Sequence, residues 1–184
     1  NAMAEGSLTA QFTDCSEFYG TIFAGDPSSA YTTTTSILLG SDMPGAVHLY
    51  KTGSLKPLFG TNSVTVGSMT LASGSTLSFG SRLWTDDDGV YHGTTGCFRV
   101  TGEFSATAPV RIQLDENAVV PNGQICRIPL LTVPSDQNIS DGDFVLAPPS
   151  GDCVQVGRLQ VDEDELTGDK TLVAIFEPVV MMVK

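Results

Sequence analysis

The residues best suited to ligand contact gather in one irregular stretch, 81–96, of the 184-residue chain. It contains the only Trp, one of two His, a Tyr and three consecutive Asp. The six candidates are Trp84, Asp86, Asp87, Asp88, Tyr91 and His92. Aromatic rings beside carboxylates suit a saccharide or protein surface, because rings cover apolar faces while carboxylates accept hydrogen bonds. We therefore predict ligand contact here. The competing interpretation is that Trp84 packs down onto neighbouring strands and anchors the stretch.

The same residue types could serve a metal or a catalytic site. Calcium prefers several oxygen ligands, but the three aspartates lack the alternating spacing and terminal Glu of a calcium-binding loop. Ser-His-Asp catalysis would have to use His48 or His92, and no Gly-x-Ser-x-Gly motif is present. His48 stands between Val47 and Leu49, so we expect it on the solvent face of a strand. We predict no catalytic residue, no metal and no cofactor.

Composition limits the partners. The chain has 21 acidic and 9 basic residues, giving a formal net charge of −12, which disfavours nucleic acid. The longest apolar run, 178–183, is far shorter than the ~18 residues of a membrane span, so we expect no membrane insertion. Four cysteines are present without a Cys-x-x-Cys pair, and their disulfide pairing stays open. They are Cys15, Cys97, Cys126 and Cys153.

The stretch Val64–Gly80 directly precedes the candidate residues and must position them. Its apolar residues alternate with Thr, Ser and Gly, a pattern typical of strands with one buried face. Ser73-Gly74-Ser75 interrupts the pattern and predicts a turn. We therefore predict two short strands joined at a corner. A second turn is predicted at Met43-Pro44-Gly45.

An earlier copy of this pattern predicts how the strands stack. The matched positions are Val47 and Met69, Leu49 and Leu71, and Leu55 and Leu77, each pair 22 residues apart (69 minus 47). A fixed period in this range is the signature of a solenoid, whose turns bury their apolar faces on one another. We therefore expect each matched pair in adjacent parallel strands. The alternative is that both copies are hairpins of an antiparallel β-sandwich.

Apolar segments recur from end to end, and only 162–166 suggests a helical turn. We therefore predict one all-β domain over 4–184, with residues 1–3 resembling a tag remnant and 81–96 inserted between coils. The expected architecture is a parallel β-helix with an irregular β-rich C-terminal cap.

Two segments also resemble a known family. Leu71–Phe79, LASGSTLSF, is similar to the repeat of autotransporter passenger regions, and Phe18–Ile22 resembles the step that opens such repeats. The stretch Val110–Leu172 resembles the less regular strands that end these passengers. The resemblance implies a single-stranded, right-handed parallel β-helix.

The same resemblance implies a secreted or surface-displayed bacterial domain, adhesin-like or structural, non-enzymatic, and a fragment of a longer protein. Its implied partners are glycans or proteins of host or bacterial surfaces. The alternative is a carbohydrate-active enzyme or sugar-binding module on a β-helix or β-sandwich.

Overall fold

The computed structural model of the chain describes residues 6–28, 33–58, 63–85, 91–114, 126–147 and 156–177. Within these ranges the protein is all-β, as predicted, with sixteen strands, one short 3₁₀-helix at Asp141–Asp143 and no α-helix. The strands are β1 (Ser7–Phe12), β2 (Thr21–Ala24), β3 (Thr34–Leu39), β4 (Met43–Leu49), β5 (Gly53–Pro57), β6 (Val64–Leu71), β7 (Thr76–Phe79), β8 (Ser81–Thr85), β9 (Tyr91–Thr95), β10 (Phe98–Val100), β11 (Phe104–Ala106), β12 (Val110–Leu114), β13 (Cys126–Val133), β14 (Phe144–Leu146), β15 (Val156–Glu163) and β16 (Lys170–Glu177).

From β1 to β7 the chain passes alternately through two sheets. One sheet has six strands in the order β1-β3-β5-β7-β12-β14, and every neighbouring pair is parallel. The other has eight strands in the order β15-β16-β13-β10-β6-β4-β2, with β11 also paired to β6. Its pairs from β2 to β13 are parallel as well. Neither sheet closes into a barrel.

The predicted register between the two sequence copies is confirmed. Strands β4 and β6 are parallel partners, with Leu49 opposite Leu71 and Val47 opposite Met69. Strands β5 and β7 are also parallel, with Leu55 opposite Leu77 in the other sheet. The antiparallel alternative requires the opposite pairing of these segments. Parallel stacking places apolar residues over apolar residues. Each pass of the chain through the two sheets therefore helps to bury the apolar residues of the next pass.

The period itself is not constant, so a fixed repeat of 22 residues is wrong beyond this step. Thr35 pairs with Gly53, an offset of 18 (53 minus 35). Leu77 pairs with Ile112, an offset of 35 (112 minus 77). Stacking demands register only within the strands, whereas the connecting segments lie outside the core and tolerate different lengths. Two tandem copies therefore reveal the pairing but not the length of the other passes.

The predicted turn at Met43-Pro44-Gly45 is wrong, because these residues belong to β4. Met43 pairs with Val66 and Ala46 with Ser68, so Pro44 and Gly45 together oppose Gly67. This is a β-bulge, a position that accepts proline because the ladder hydrogen bond is locally interrupted. The backbones approach closely here.

One hydrophobic core joins the two sheets. Along β4 and β6 the buried positions alternate with partly exposed ones, as one inward face requires. Phe79 of the six-stranded sheet and Phe98 of the eight-stranded sheet are fully buried, with ring centroids 5.5 Å apart. The inward faces therefore pack against each other, and the outward faces are left for contact.

The last two strands break the parallel order. β16 pairs antiparallel with both β13 and β15, so a hairpin ends the eight-stranded sheet. Two ion pairs join this hairpin to earlier strands: Arg99 of β10 pairs with Asp169 in the turn at 2.8 Å, and Arg127 of β13 pairs with Asp162 of β15. Both pairs are substantially exposed, and such pairs contribute about 0–1 kcal/mol.

Candidate functional site

The predicted contact stretch forms a β-hairpin, where the sequence suggested an irregular segment. β8 and β9 are antiparallel and make up a two-stranded sheet separate from the other two. Trp84 is the register partner of His92, and Thr85 is the partner of Tyr91. The predicted residues Asp86, Asp87 and Asp88 lie outside the described residues.

The hairpin leaves the stacked strands and returns at nearly the same point. It follows β7 and precedes β10, and the Gly96 N–H donates to the Gly80 carbonyl at 3.4 Å. The two ends of the hairpin therefore lie close together, between β7 and β10.

A second aromatic group lies on the outer face of the eight-stranded sheet. We call Phe23, His48 and Tyr50 the aromatic stack. The His48 and Tyr50 ring centroids are 4.5 Å apart at an interplanar angle of 27°. The Phe23 centroid lies 5.6 Å from that of His48 and 6.2 Å from that of Tyr50, the latter at an angle of 14°. The two pairs that include Tyr50 are stacked, whereas the Phe23 and His48 rings are tilted by 32°, and all three distances are typical of interacting aromatic rings.

Strand alternation and parallel register produce this stack. Ile22 and Ala24 are buried, so Phe23 between them faces outward. Val47 and Leu49 are likewise buried, which places His48 on the outer face as predicted. Phe23 and His48 are register partners in β2 and β4.

Phe23 is the most exposed member of the stack. Its residue exposure is 59%, and β2 is an edge strand of its sheet. The described residues therefore place strand β4 on one side of Phe23 and no paired strand on the other.

Polar groups border the aromatic stack at one end. Asp26, just beyond β2, forms an antiparallel bridge with Lys51, which directly follows Tyr50. The Asp26 N–H donates to the Lys51 carbonyl at 3.0 Å. Ser28 donates its N–H and hydroxyl to Asp26 Oδ1 at 2.8 and 2.7 Å. Polar residues therefore follow the rings just beyond both β2 and β4, and their backbones are held together.

Hydroxyl groups continue the His48 row across the sheet. Thr70 is the register partner of His48, and Ser105 is the partner of Thr70. The Ser105 hydroxyl donates to Thr70 Oγ1 at 3.4 Å. The outer face therefore passes from aromatic to hydroxyl side chains within a few strands.

Sequence reasoning identified the outward direction of His48 but missed its aromatic partners. Phe23 and His48 are 25 residues apart (48 minus 23), an offset that the 22-residue period does not reach. The available signal was local: His48 and Tyr50 alternate with Val47 and Leu49. Pairing this pattern with Phe23 required the register of β2.

A shallow groove of about 400 Å³ lies at the other end of the stacked strands, between β14 and β15. Exposed Val145 and Arg158 line it together with Asp141. At its base Gly157 packs closely against Leu146 and Phe176, so any side chain at this position would have to displace one of them. The groove is wide and open and offers no enclosed site.

Thiols and carboxylates form no site within the described residues. Cys15 is a buried free thiol, and Cys97 is a half-buried one whose pKa is raised by burial. Cys126 begins β13, and Cys153 lies outside the described part of the chain. No group of three potential metal ligands occurs in the part of the chain that the structure describes. Cys15 and Cys97 are therefore unpaired, and only the pairing of Cys126 and Cys153 stays open.

Comparison with known proteins gives no family: no family model, curated protein or solved structure matches the chain. No helix in the described ranges is long and apolar enough to cross a membrane.

Proposed function

We propose that this chain is a non-enzymatic bacterial domain, secreted or displayed at the cell surface, with an adhesin-like or structural role. We propose further that its architecture is a single-stranded, right-handed parallel β-helix. The supporting observation is the parallel register in which strands from successive passes lie over one another. A solenoid requires this arrangement, because no single pass can bury its own apolar face.

Such a scaffold suits adhesion. Its inward side chains make one continuous core, so the outward side chains and insertions are available for contact. The antiparallel pair β15–β16 would serve as the C-terminal cap, since stacked strands otherwise end in unpaired edges. The proposed partners are glycans or proteins on host or bacterial surfaces, and the proposed location is extracellular.

The hairpin insertion is a proposed contact site within this scaffold. Trp84 and His92 occupy opposite register positions near its tip, and Asp86, Asp87 and Asp88 connect its strands in sequence. An insertion between passes does not have to complete the core, so these residue types are available for a partner. Anchoring of the hairpin by Trp84 is the competing role.

A bead-adhesion experiment tests the proposal. Beads coated with the protein should bind bacterial or epithelial cells above the level of albumin-coated beads. Replacing 86–91 with a Gly/Ser linker should reduce adhesion while leaving the melting curve intact. The matched control replaces 164–168, the turn between β15 and β16, with the same linker and should retain adhesion.

The outcomes separate the competing roles. Loss of folding in the 86–91 variant would favour anchoring by the hairpin. Wild-type beads that bind no cells would overturn the adhesive role. Release of reducing ends from a panel of polysaccharides would favour the carbohydrate-active enzyme.

A further inference from the structure

We infer that the aromatic stack of Phe23, His48 and Tyr50 is a binding site for a neutral saccharide. This inference rests on the proposed adhesive function and gives it a ligand class and a second contact site. The site is independent of the hairpin, which lies in a different sheet.

The exposed ring of Phe23 supplies the contact surface. His48 and Tyr50 stack against it from the direction of β4, while its other side faces the edge of the sheet. A pyranose ring with its hydroxyls equatorial presents a flat face of C–H groups. Such a face is complementary to the electron-rich face of an aromatic ring. The sugar would therefore extend the aromatic stack by one layer at the edge of β2.

The stack is ordered before any ligand arrives. Parallel pairing of β2 with β4 fixes the positions of Phe23 and His48, and the rings contact one another. Binding therefore immobilises few additional side chains, and the loss of conformational entropy is small. A preorganised aromatic surface of this kind can bind a small ligand that offers limited contact area.

The polar border accounts for a saccharide in preference to a purely apolar ligand. Asp26 and Lys51 are joined by a backbone bridge beside the rings, and Thr70 continues the His48 row. Saccharide hydroxyls both donate and accept hydrogen bonds, so the hydroxyl row that begins at Thr70 and the polar residues that follow the rings suit them. Ligand sites commonly combine an apolar surface with a few polar groups in this way.

Charge favours a neutral ligand. The chain carries a formal net charge of −12, so acidic glycans and a second copy of the chain are repelled at long range. A neutral saccharide incurs no such repulsion.

The test is to titrate two neutral β-1,4-linked probes, cellohexaose and chitohexaose, into the protein. Calorimetry measures binding, and NMR monitors the ring signals of Phe23, His48 and Tyr50. At least one probe should bind and shift these signals. Phe23→Ala should weaken binding about tenfold, as expected for loss of a central aromatic contact. Phe23→Tyr keeps the ring and should retain binding.

The matched control is Leu166→Ala, which removes a side chain from a residue that is 96% exposed in the turn between β15 and β16. It should bind like the wild type. Unchanged melting of all three variants excludes unfolding as the cause of any loss.

Two results would overturn the saccharide site. One is that neither hexasaccharide binds at millimolar concentration, and the other is that Phe23→Ala binds as tightly as the wild type. If coated beads still adhere to cells, the adhesive function survives and only this site is lost. If the beads do not adhere either, the adhesive proposal fails with it.

Discussion

Ser75 is the exception in a buried core whose other described side chains are apolar. It is the buried polar residue of the described core, at 0% exposure, and its hydroxyl has no hydrogen-bond partner there. Its backbone remains useful, since the N–H donates to the Ala72 carbonyl and the carbonyl accepts from the Arg111 N–H. The hydroxyl therefore bears a desolvation cost without a compensating bond.

Ser75→Ala should raise the free energy of unfolding by about 1 kcal/mol, because the unpaired hydroxyl is removed and the backbone bonds remain. Chemical denaturation measures the change. The control is Ser73→Ala in the adjacent exposed turn, which should stay within about 0.5 kcal/mol of the wild type. Destabilisation by Ser75→Ala alone would mean that the hydroxyl has a partner.

Cys97 gives a residue-level prediction about pH. Burial raises the pKa of its thiol, although the Thr132 hydroxyl and the Arg99 charge act in the opposite direction. The folded protein therefore keeps the thiol protonated at pH values where the unfolded chain already forms thiolate. Stability from this group is complete below the unfolded pKa and decreases as pH rises through the folded pKa.

Iodoacetamide should therefore modify Cys97 more slowly in the folded protein than in urea at pH 8.5, since the thiolate is the nucleophile. Peptide mass spectrometry separates Cys97 from the other cysteines. The labelling rate should reach half its maximum at a higher pH when the protein is folded. Equal pH profiles in both states would contradict the raised pKa.

At the scale of strands, the inward ladder of leucines stabilises the stacking. Leu71 is fully buried and lies opposite Leu49 in the neighbouring strand. Leu71→Ala should lower the free energy of unfolding by about 2–5 kcal/mol, through lost burial and the resulting cavity. Thr70→Ala, on the outer face of the same strand, should cost no more than about 1 kcal/mol. Thermal or urea unfolding measures the loss of stability in both variants. Equal losses for Leu71→Ala and Thr70→Ala would place Leu71 outside the core.

The bulge gives a second prediction for the strands. A Cβ built on Gly67 would lie 2.8 Å from the Gly45 carbonyl oxygen and closer still to that of Pro44. Gly67→Ala should therefore cost about 1–3 kcal/mol, because backbone in β4 must move. Gly142→Ala is the control, since its Cβ would meet only the Ser140 hydroxyl at 3.5 Å. If Gly67→Ala is as stable as this control, the backbone of β4 moves aside without a loss of stability.

These elements also show how far sequence reasoning can reach. Alternation identified Val64–Leu71 as a strand with one buried face, and the matched leucines identified its parallel partner. Pro44-Gly45 predicts a turn but forms a bulge in β4, because bulges and turns use the same residue types. Whether such residues interrupt a strand or end it depends on the partner strand, which the local sequence does not contain.

The same limit applies to the candidate sites. The residues at 81–96 are close in sequence and were easily grouped, whereas the aromatic stack joins residues from two passes of the chain. The connections between strands differ in length, so the single 22-residue offset could not predict which residues of β2 and β4 pair. In addition, the sequence pattern of outward-facing residues does not distinguish a binding surface from any other solvent-exposed face.

At the scale of the whole molecule, charge opposes compactness. The chain has 21 acidic and 9 basic residues, so like charges repel one another more strongly in the folded protein than in the expanded chain. The exposed pairs Arg99–Asp169 and Arg127–Asp162 offset only a small part of this repulsion. Salt screens both effects, and the net repulsion is the larger one.

Raising NaCl from 0.02 M to about 0.3 M at pH 7 should therefore stabilise the protein, since the Debye length falls well below the molecular diameter. A gain of about 1 kcal/mol would raise the melting temperature by about 2–4 °C for a domain of this size. Differential scanning calorimetry measures it. At pH 5, closer to the isoelectric point of about 4.2, the same salt step should give a smaller gain because fewer net charges repel. A melting temperature that falls with salt at pH 7 would instead mean that attractive pairs dominate the surface.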